Sequence, residues 1–265
     1  MYKIGLSSKS NAFTAELFSE CREHGVSVME LSRCSAGYDC FDYATAAELA
    51  RSCGVEFRSL HLPFRPYDIF DISDERCVER AIEANKRIID EGVKVGIKIF
   101  VIHPSGVGIS AAERPQRLAC VKYALASLVE HAKPLGARIA VENMAHDCLG
   151  NSIAEFEQLV GAHPDLCICF DVNHLLFESH EDFIRLFGKK IITTHISDSD
   201  LVDERHWMPG RGAIDFTKIL TALAEVGYDG PWLYEVSYTV PNTSGGPSVS
   251  DFVENANALF ATVKS

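Results

Sequence analysis

A chain of 265 residues, 47% hydrophobic and 23% charged, has ordinary globular composition with ample material for a core. Its 37 acidic residues against 25 basic ones give a net charge of -12, which argues against a broad basic footprint for nucleic acid or an anionic membrane. The length suits one α/β barrel, a fold that fills about 250 residues as a single domain, so one domain spanning residues 1–265 is expected.

The chain opens on an apolar strand pattern at residues 2–6 with no signal peptide, and no apolar run is long enough to span a bilayer, so a cytoplasmic protein is expected. Further runs of strand length follow at residues 26–31, 55–60, 97–102, 138–141, 166–170, 191–194 and 232–234. Between them, amphipathic stretches at 43–53, 74–95, 115–135, 153–162 and 216–226 are each long enough for a helix. Ser152 with Glu155 makes a capping-box signature, and Asp215 is placed to cap the helix after it. Gly25, Gly54, Gly96, Gly136 and Gly227 each stand just before a strand and read as helix-terminating residues. Eight β-then-α units with short αβ turns predict a single (β/α)8 TIM barrel, with an open doubly wound sheet as the alternative. No Gly-x-Gly-x-x-Gly follows the first strand and no P-loop is present, so a nucleotide cofactor has no support.

Nine cysteines are scattered, and Cys21, Cys53, Cys77 and Cys120 fall in helix-like stretches, which reads as buried thiols. Cys167 and Cys169 sit two apart in a strand, pointing the same way, and no Cys-x-x-Cys pair suggests a zinc knuckle.

A barrel places its active site at the C-terminal ends of its strands. Here the second strand runs into Glu30, the third into His61, the fourth into His103 and the fifth into Glu142. The sixth runs into Asp171 with His174 just beyond, the seventh into His195 and the eighth into Glu235. Singly, each such residue is more ordinarily a hydrogen-bonded structural group. Converging on one mouth, Glu142, Asp171, His195 and Glu235 predict a site for one divalent metal ion: Mn2+ or Zn2+ first, given the imidazole, with Co2+ or Mg2+ also compatible. His24 and His131, in or near helix ends, read as structural.

Glu142 and Glu235, from strands five and eight, face each other across that centre. A metal chelating adjacent oxygens of a ketose acidifies the intervening C–H; one glutamate removes the proton and the other returns it, on the opposite face or at the neighbouring carbon. The product is an epimer or an isomer, formed through an enediolate stabilised by the metal and by donors such as His174 and His206. The loop at residues 193–212 carries His195, His206, Trp207 and the turn Pro209-Gly210-Arg211-Gly212, a concentration of metal- and oxyanion-binding groups. Phe64, Tyr67, Phe70, Trp207 and Tyr238 read as an apolar wall for a sugar face or as lid packing. Residues 241–247, rich in Gly, Ser, Pro and Asn, read as a lid or a subunit contact, which leaves a homo-oligomer open.

The segments Val141-Glu142-Asn143, Phe170-Asp171-Val172-Asn173-His174, His195-Ile196-Ser197-Asp198, His206 followed by Pro209-Gly210, and Tyr234-Glu235 resemble the xylose-isomerase-like barrel superfamily. That group holds sugar isomerases, ketose 3-epimerases, inosose dehydratases and the apurinic-site endonucleases of the endonuclease IV type. By that likeness Glu142, Asp171, His195 and Glu235 hold the metal, Glu142 and Glu235 are the acid/base pair, and His174 and His206 contact substrate oxygens. A sugar, sugar phosphate or polyol is the implied partner, with no nucleic acid and no membrane.

Arg211 departs from a glutamate common in the family and would bind a substrate phosphate or carboxylate, or else be a solvated surface arginine. The position of His206 is an arginine in some ketose epimerases, so their substrate does not carry over. Besides an inosose-type dehydratase, the rival branch is the endonuclease with three zinc ions, which needs His61, His103, His174 and His206 as further ligands. All are present, with Glu204 where that branch has an aspartate. Against it, residues 32–41 are not an Asn/Gln/Arg-rich DNA-reading segment and the βα loops are poor in Lys and Arg. In the carbohydrate reading His61 and His103 orient the site or contact substrate. A barrel that only binds a sugar is the non-catalytic alternative.

Overall fold

The computed structural model describes residues 1–8, 13–32, 41–237 and 246–263. Strand and helix alternate from the start: β1 (Ile4–Ser8), α1 (Ala15–Glu23), β2 (Val28–Ser32), α2 (Tyr43–Ser52), β3 (Glu56–His61), the short α3 (Tyr67–Phe70) and the long α4 (Val78–Lys94). The alternation continues through β4 (Ile99–Ile102), α5 (Arg114–Ala132), β5 (Arg138–Glu142), α6 (Ile153–Val160), β6 (Cys167–Asp171) and α7 (His180–Phe187). It ends with β7 (Ile191–His195), α8 (Phe216–Glu225), β8 (Trp232–Tyr234) and α9 (Val249–Ala261).

All strands pair in parallel, in the order β7-β6-β5-β4-β3-β2-β1-β8. The ring closes just beyond β7, where the Ile196 N–H donates to Leu233 O at 2.8 Å and its carbonyl accepts from the Glu235 N–H at 3.0 Å. This is one (β/α)8 barrel, and the open sheet is set aside. No helix among the described residues is long and apolar enough to cross a membrane.

The helices lie where an apolar stripe recurs at helical spacing. In α4 the inward face is Val78, Ala81, Ile82, Asn85, Ile88, Ile89 and Gly92. Burying each isoleucine contributes roughly 1.5–3 kcal/mol. Gly92 is required there, since a Cβ would stand 2.7 Å from the Phe100 ring of β4. The five helix-terminating glycines all take positive φ, from 69° at Gly136 to 98° at Gly96, as the sequence predicts.

Two sequence expectations shift. Helix α4 starts at Val78, not 74, because Asp74 turns its carboxylate onto the Arg76 N–H and side chain, making a turn instead. Ser152 caps α6, but Glu155 does not complete the box; its carboxylate takes the Gly150 N–H at 2.7 Å and pairs with Arg114. Asp215 does cap α8. Residues 33–40 and 241–245, Tyr238 and the Tyr67 side chain fall outside the described residues, so the reading of a mobile lid or subunit contact at 241–247 is not tested.

Candidate metal centre

Period-two alternation delivers one side chain per strand to the barrel axis. In β5, Ile139 and Val141 face the helices, which turns Ala140 and then Glu142 inward; in β6, Ile168 and Phe170 face out and Cys169 and then Asp171 face in. Ile99, Val101, Ala140 and Cys169 plug the barrel, and the ionisable residues stand above them. Cys169 is a buried free thiol, pushed well above its ordinary pKa by burial, and is therefore neutral.

Two bulges adjust this register. Between Ile168 and Cys169 the β6–β7 ladder slips so that Asp171 stands opposite His195, and between Met29 and Glu30 the β2–β3 ladder slips so that Glu30 stands opposite Ser59. Bulges re-aim side chains in this way beside active sites.

At the centre, His195 Nδ1 lies 3.0 Å from Glu142 Oε1, 3.2 Å from Glu235 Oε2 and 3.8 Å from Asp171 Oδ2. Glu142, Asp171 and His195 are fully buried, while the Glu235 side chain keeps 12% exposure at the mouth. Asp171 Oδ1 accepts the N–H groups of Asn173 at 2.6 Å and His174 at 3.3 Å, but Oδ2 is buried and accepts no hydrogen bond. The Asn143 amide clamps Asp171 from behind, with two backbone hydrogen bonds of 2.8 Å. A buried carboxylate oxygen without a donor, among two more carboxylates and an imidazole, fits a divalent cation.

Two imidazole-rich clusters flank this centre. His61 Nε2, His103 Nε2 and Glu142 Oε2 form a triangle with sides of 3.1, 3.2 and 3.3 Å. Ligand atoms around a tetrahedral zinc stand about 3.3 Å apart, from Zn–N bonds of about 2.05 Å. On the other side, His174 Nε2 and His206 Nε2 lie 3.6 and 3.8 Å from Glu204 Oε2.

The ring orientations are fixed from behind. His61 Nδ1 donates to Leu62 O at 2.9 Å, His174 Nδ1 to Asn143 O at 2.9 Å, and His206 Nδ1 to Glu235 O at 3.1 Å. A carbonyl only accepts, so each ring presents Nε2 to its carboxylate, as metal-ligating histidines do. His206 does so from a left-handed backbone, φ 48°, pinned by the Ser237 N–H on its carbonyl at 2.7 Å.

The electrostatics agree. Burial pushes the Glu142 carboxyl up, yet His195 and His103 outweigh it and hold Glu142 well below the usual range. Burial raises Asp171 to about 6. His174 is lowered by burial but lifted further by Asp171, Glu204 and Glu142, reaching about 10. For His195, burial is likewise outweighed by its partners; with Cys169 neutral, the carboxylates Glu142, Glu30 and Glu235 are the ones that raise it. In the His61–His103 pair, burial lowers both rings, but Glu142 overcomes it at His61 and leaves that ring raised, while burial wins at His103 and leaves that ring lowered. The whole mouth attracts positive charge.

All the residues singled out at the strand ends meet here except Glu30, whose carboxylate lies on the far side of His195. Arg211 is exposed, and its charge acts on Asp251 at the start of α9. Trp207 is 39% exposed beside Arg205, with its backbone paired to Asp198. Asp198 holds the turn before α8 by accepting N–H groups of Gly210, Gly212 and Ile214. Phe64 stacks on His103 at 4.6 Å and walls that flank, whereas Phe70 is buried in the hydrophobic core. Sequence reasoning missed His146, which pairs with Asp203 at 2.9 Å and reaches Glu204 at 3.6 Å; nothing in its spacing marks it.

Comparison with known proteins places the fold. Residues 18–258 match the family model of the xylose isomerase-like TIM barrel. The inosose isomerase of Bacillus velezensis is 26% identical over 223 residues, 79% of this chain and 78% of that one. That of Bacillus licheniformis is 29% identical over 170 residues, 60% of this chain and only 61% of the relative's length. Among solved structures, a D-tagatose 3-epimerase-like protein superposes with TM-score 0.80 at 22% identity, covering 99% of this chain and 97% of that one. An L-ribulose 3-epimerase gives TM-score 0.79 at 19% identity, covering 100% and 95%. At such identities the structural likeness is one of fold.

Proposed function

The chain belongs to the xylose isomerase-like TIM-barrel family, and on that premise we propose that it is a divalent-metal-dependent isomerase or epimerase of a sugar, sugar phosphate or polyol. The observation that carries this reading is the four-donor centre in which two glutamates from different strands converge on one imidazole nitrogen. Glu142, Asp171, His195 and Glu235 would hold one ion, Mn2+ or Zn2+. When bound, the ion draws electron density from neighbouring substrate oxygens and acidifies the C–H between them.

The chain's own groups move the proton. Glu142, from the end of β5, and Glu235, just past β8, converge on His195 Nδ1 from different strands; one takes the proton from the substrate carbon and the other delivers it from the opposite face or to the adjacent carbon. The slight exposure of Glu235 suits exchange with the mouth. His174, raised to about 10, is cationic at neutral pH and donates to developing oxyanion charge beside it. His61 and His103 present Nε2 to substrate hydroxyls, with Phe64 closing the wall. Relatives named inosose isomerase and sugar 3-epimerase point to the same class of substrate.

A panel of ketoses, inososes and their phosphates, followed by proton exchange with deuterated water, tests the reading. Turnover with solvent deuterium entering the carbon skeleton, abolished in E142Q and E235Q while both stay folded, is expected. Unchanged turnover in either variant would remove that glutamate from the acid/base pair. A specific observation also favours a second reading: the flanking triads have ligand-like spacing and fixed rings, which suits three zinc ions and abasic-site DNA cleavage.

A further inference from the structure

Glu30 is a fully buried carboxylate that the proton-transfer scheme leaves without a task. It cannot join the ion's donors, because both its oxygens are engaged elsewhere. Oε1 accepts from His195 Nε2 at 2.9 Å and more weakly from Ser7 Oγ at 3.5 Å, and Oε2 accepts from Ser59 Oγ at 2.8 Å. None of the ion-binding clusters among the described residues includes it. The contact with Ser59 exists because the bulge in the β2–β3 ladder brings Ser59, rather than Arg58, opposite Glu30. An irregularity in the barrel wall thus serves this one carboxylate.

The other rings offer a contrast. His61, His174 and His206 are backed by neutral carbonyls, while His195 is backed by a carboxylate. A charged acceptor on one ring nitrogen fixes which nitrogen carries the proton and strengthens the other as an electron-pair donor.

We propose that Glu30 is the positioning residue of the metal centre: it takes the Nε2–H of His195, holding the ring so that Nδ1 faces Glu142, Asp171 and Glu235. Ser59 and Ser7 hold Glu30 in turn. The inference rests on His195 being a metal ligand, as the proposed function has it.

The test titrates Mn2+ into metal-free protein, reading free ion by electron paramagnetic resonance, for the wild type, E30Q and E30A. E30Q keeps the shape and removes the charge, so it separates positioning from mere packing. Weakening of Mn2+ by about 10-fold or more in E30Q, and up to about 100-fold in E30A, is expected. Weakening of E30Q by less than about threefold overturns the proposal, whatever E30A does, including failure to fold. A second readout uses the Zn2+-loaded protein: in the wild type the His195 Nε2 proton is protected from exchange in 15N-edited spectra, and in E30A it exchanges freely. The same protection in a folded E30A also overturns it. Absence of Mn2+ binding in the wild type would instead count against the metal reading itself.

Discussion

The central cluster shares Glu142 with the His61–His103 flank and nothing with the His174–His206 flank, which is built on Glu204. Around His195 stand three carboxylates to one imidazole, whereas each flank sets two imidazoles against one carboxylate. A dication at the centre leaves net negative charge, which keeps a carboxylate oxygen basic enough to take a proton; a dication on a flank would leave net positive charge. The centre is therefore suited to C–H chemistry on a chelated substrate, and the flanks to holding oxygens or a softer, nitrogen-loving ion.

The variant that strains this contrast hardest is E142Q, since Glu142 touches His195 and His174 through one oxygen and His61 and His103 through the other. Turnover should fall by about 10³-fold or more, and Mn2+ titration should show the central affinity lost. E235Q should cost about 10² to 10⁴ in kcat while leaving the His61–His103 flank intact; wild-type kcat in E235Q would contradict a two-glutamate proton transfer. Next in size, H61A with H103A should raise KM by roughly 10-fold with central Mn2+ retained. Loss of a zinc ion from the double variant would instead turn that flank into a metal site.

A milder effect separates proton from metal. His174 sits at about 10 in the folded protein against an ordinary 6.5, so the folded state keeps a proton that the unfolded chain releases. Its contribution is full below 6.5 and is lost as pH rises through about 10. Thermal melts of metal-free protein should thus show Tm falling from pH 7 toward pH 10, and saturating Mn2+ should flatten the drop, because ion and proton compete for the same negative site. A Tm that rises over this window would contradict the charge assignment. The smallest effect belongs far from the mouth: D215A removes the α8 cap and should cost about 1 kcal/mol of stability in a denaturant titration, with Mn2+ affinity unchanged.

Period and punctuation make the barrel readable. Alternating apolar residues locate every strand, and the five helix-ending glycines mark the turns, because both signals are local. The rule that a barrel keeps its site at the C-terminal strand ends then puts Glu142, Asp171 and His195 at one mouth from the sequence alone. Helices α1, α3, α7 and α9 go unmarked; α7 presents only Phe183, Ile184 and Phe187 after a polar first turn, too short a stripe to stand out. What spacing does not carry is nonlocal: the two bulges that set Asp171 against His195 and Glu30 against Ser59, and the carbonyls behind His61, His174 and His206. Glu30 is visible as a strand end, but its place behind His195 depends on a contact 165 residues apart.

The comparison between centre and flanks comes down to how many ions the chain holds. Elemental mass spectrometry on protein purified without added metal or affinity tag counts them. About one divalent ion per chain is expected, lost in variants of Glu142, Asp171, His195 or Glu235 and retained when His61, His103 or His206 is changed. About three zinc ions per chain, falling by one with each flank removed, would contradict the single-ion centre and assign the mouth to abasic-site DNA cleavage.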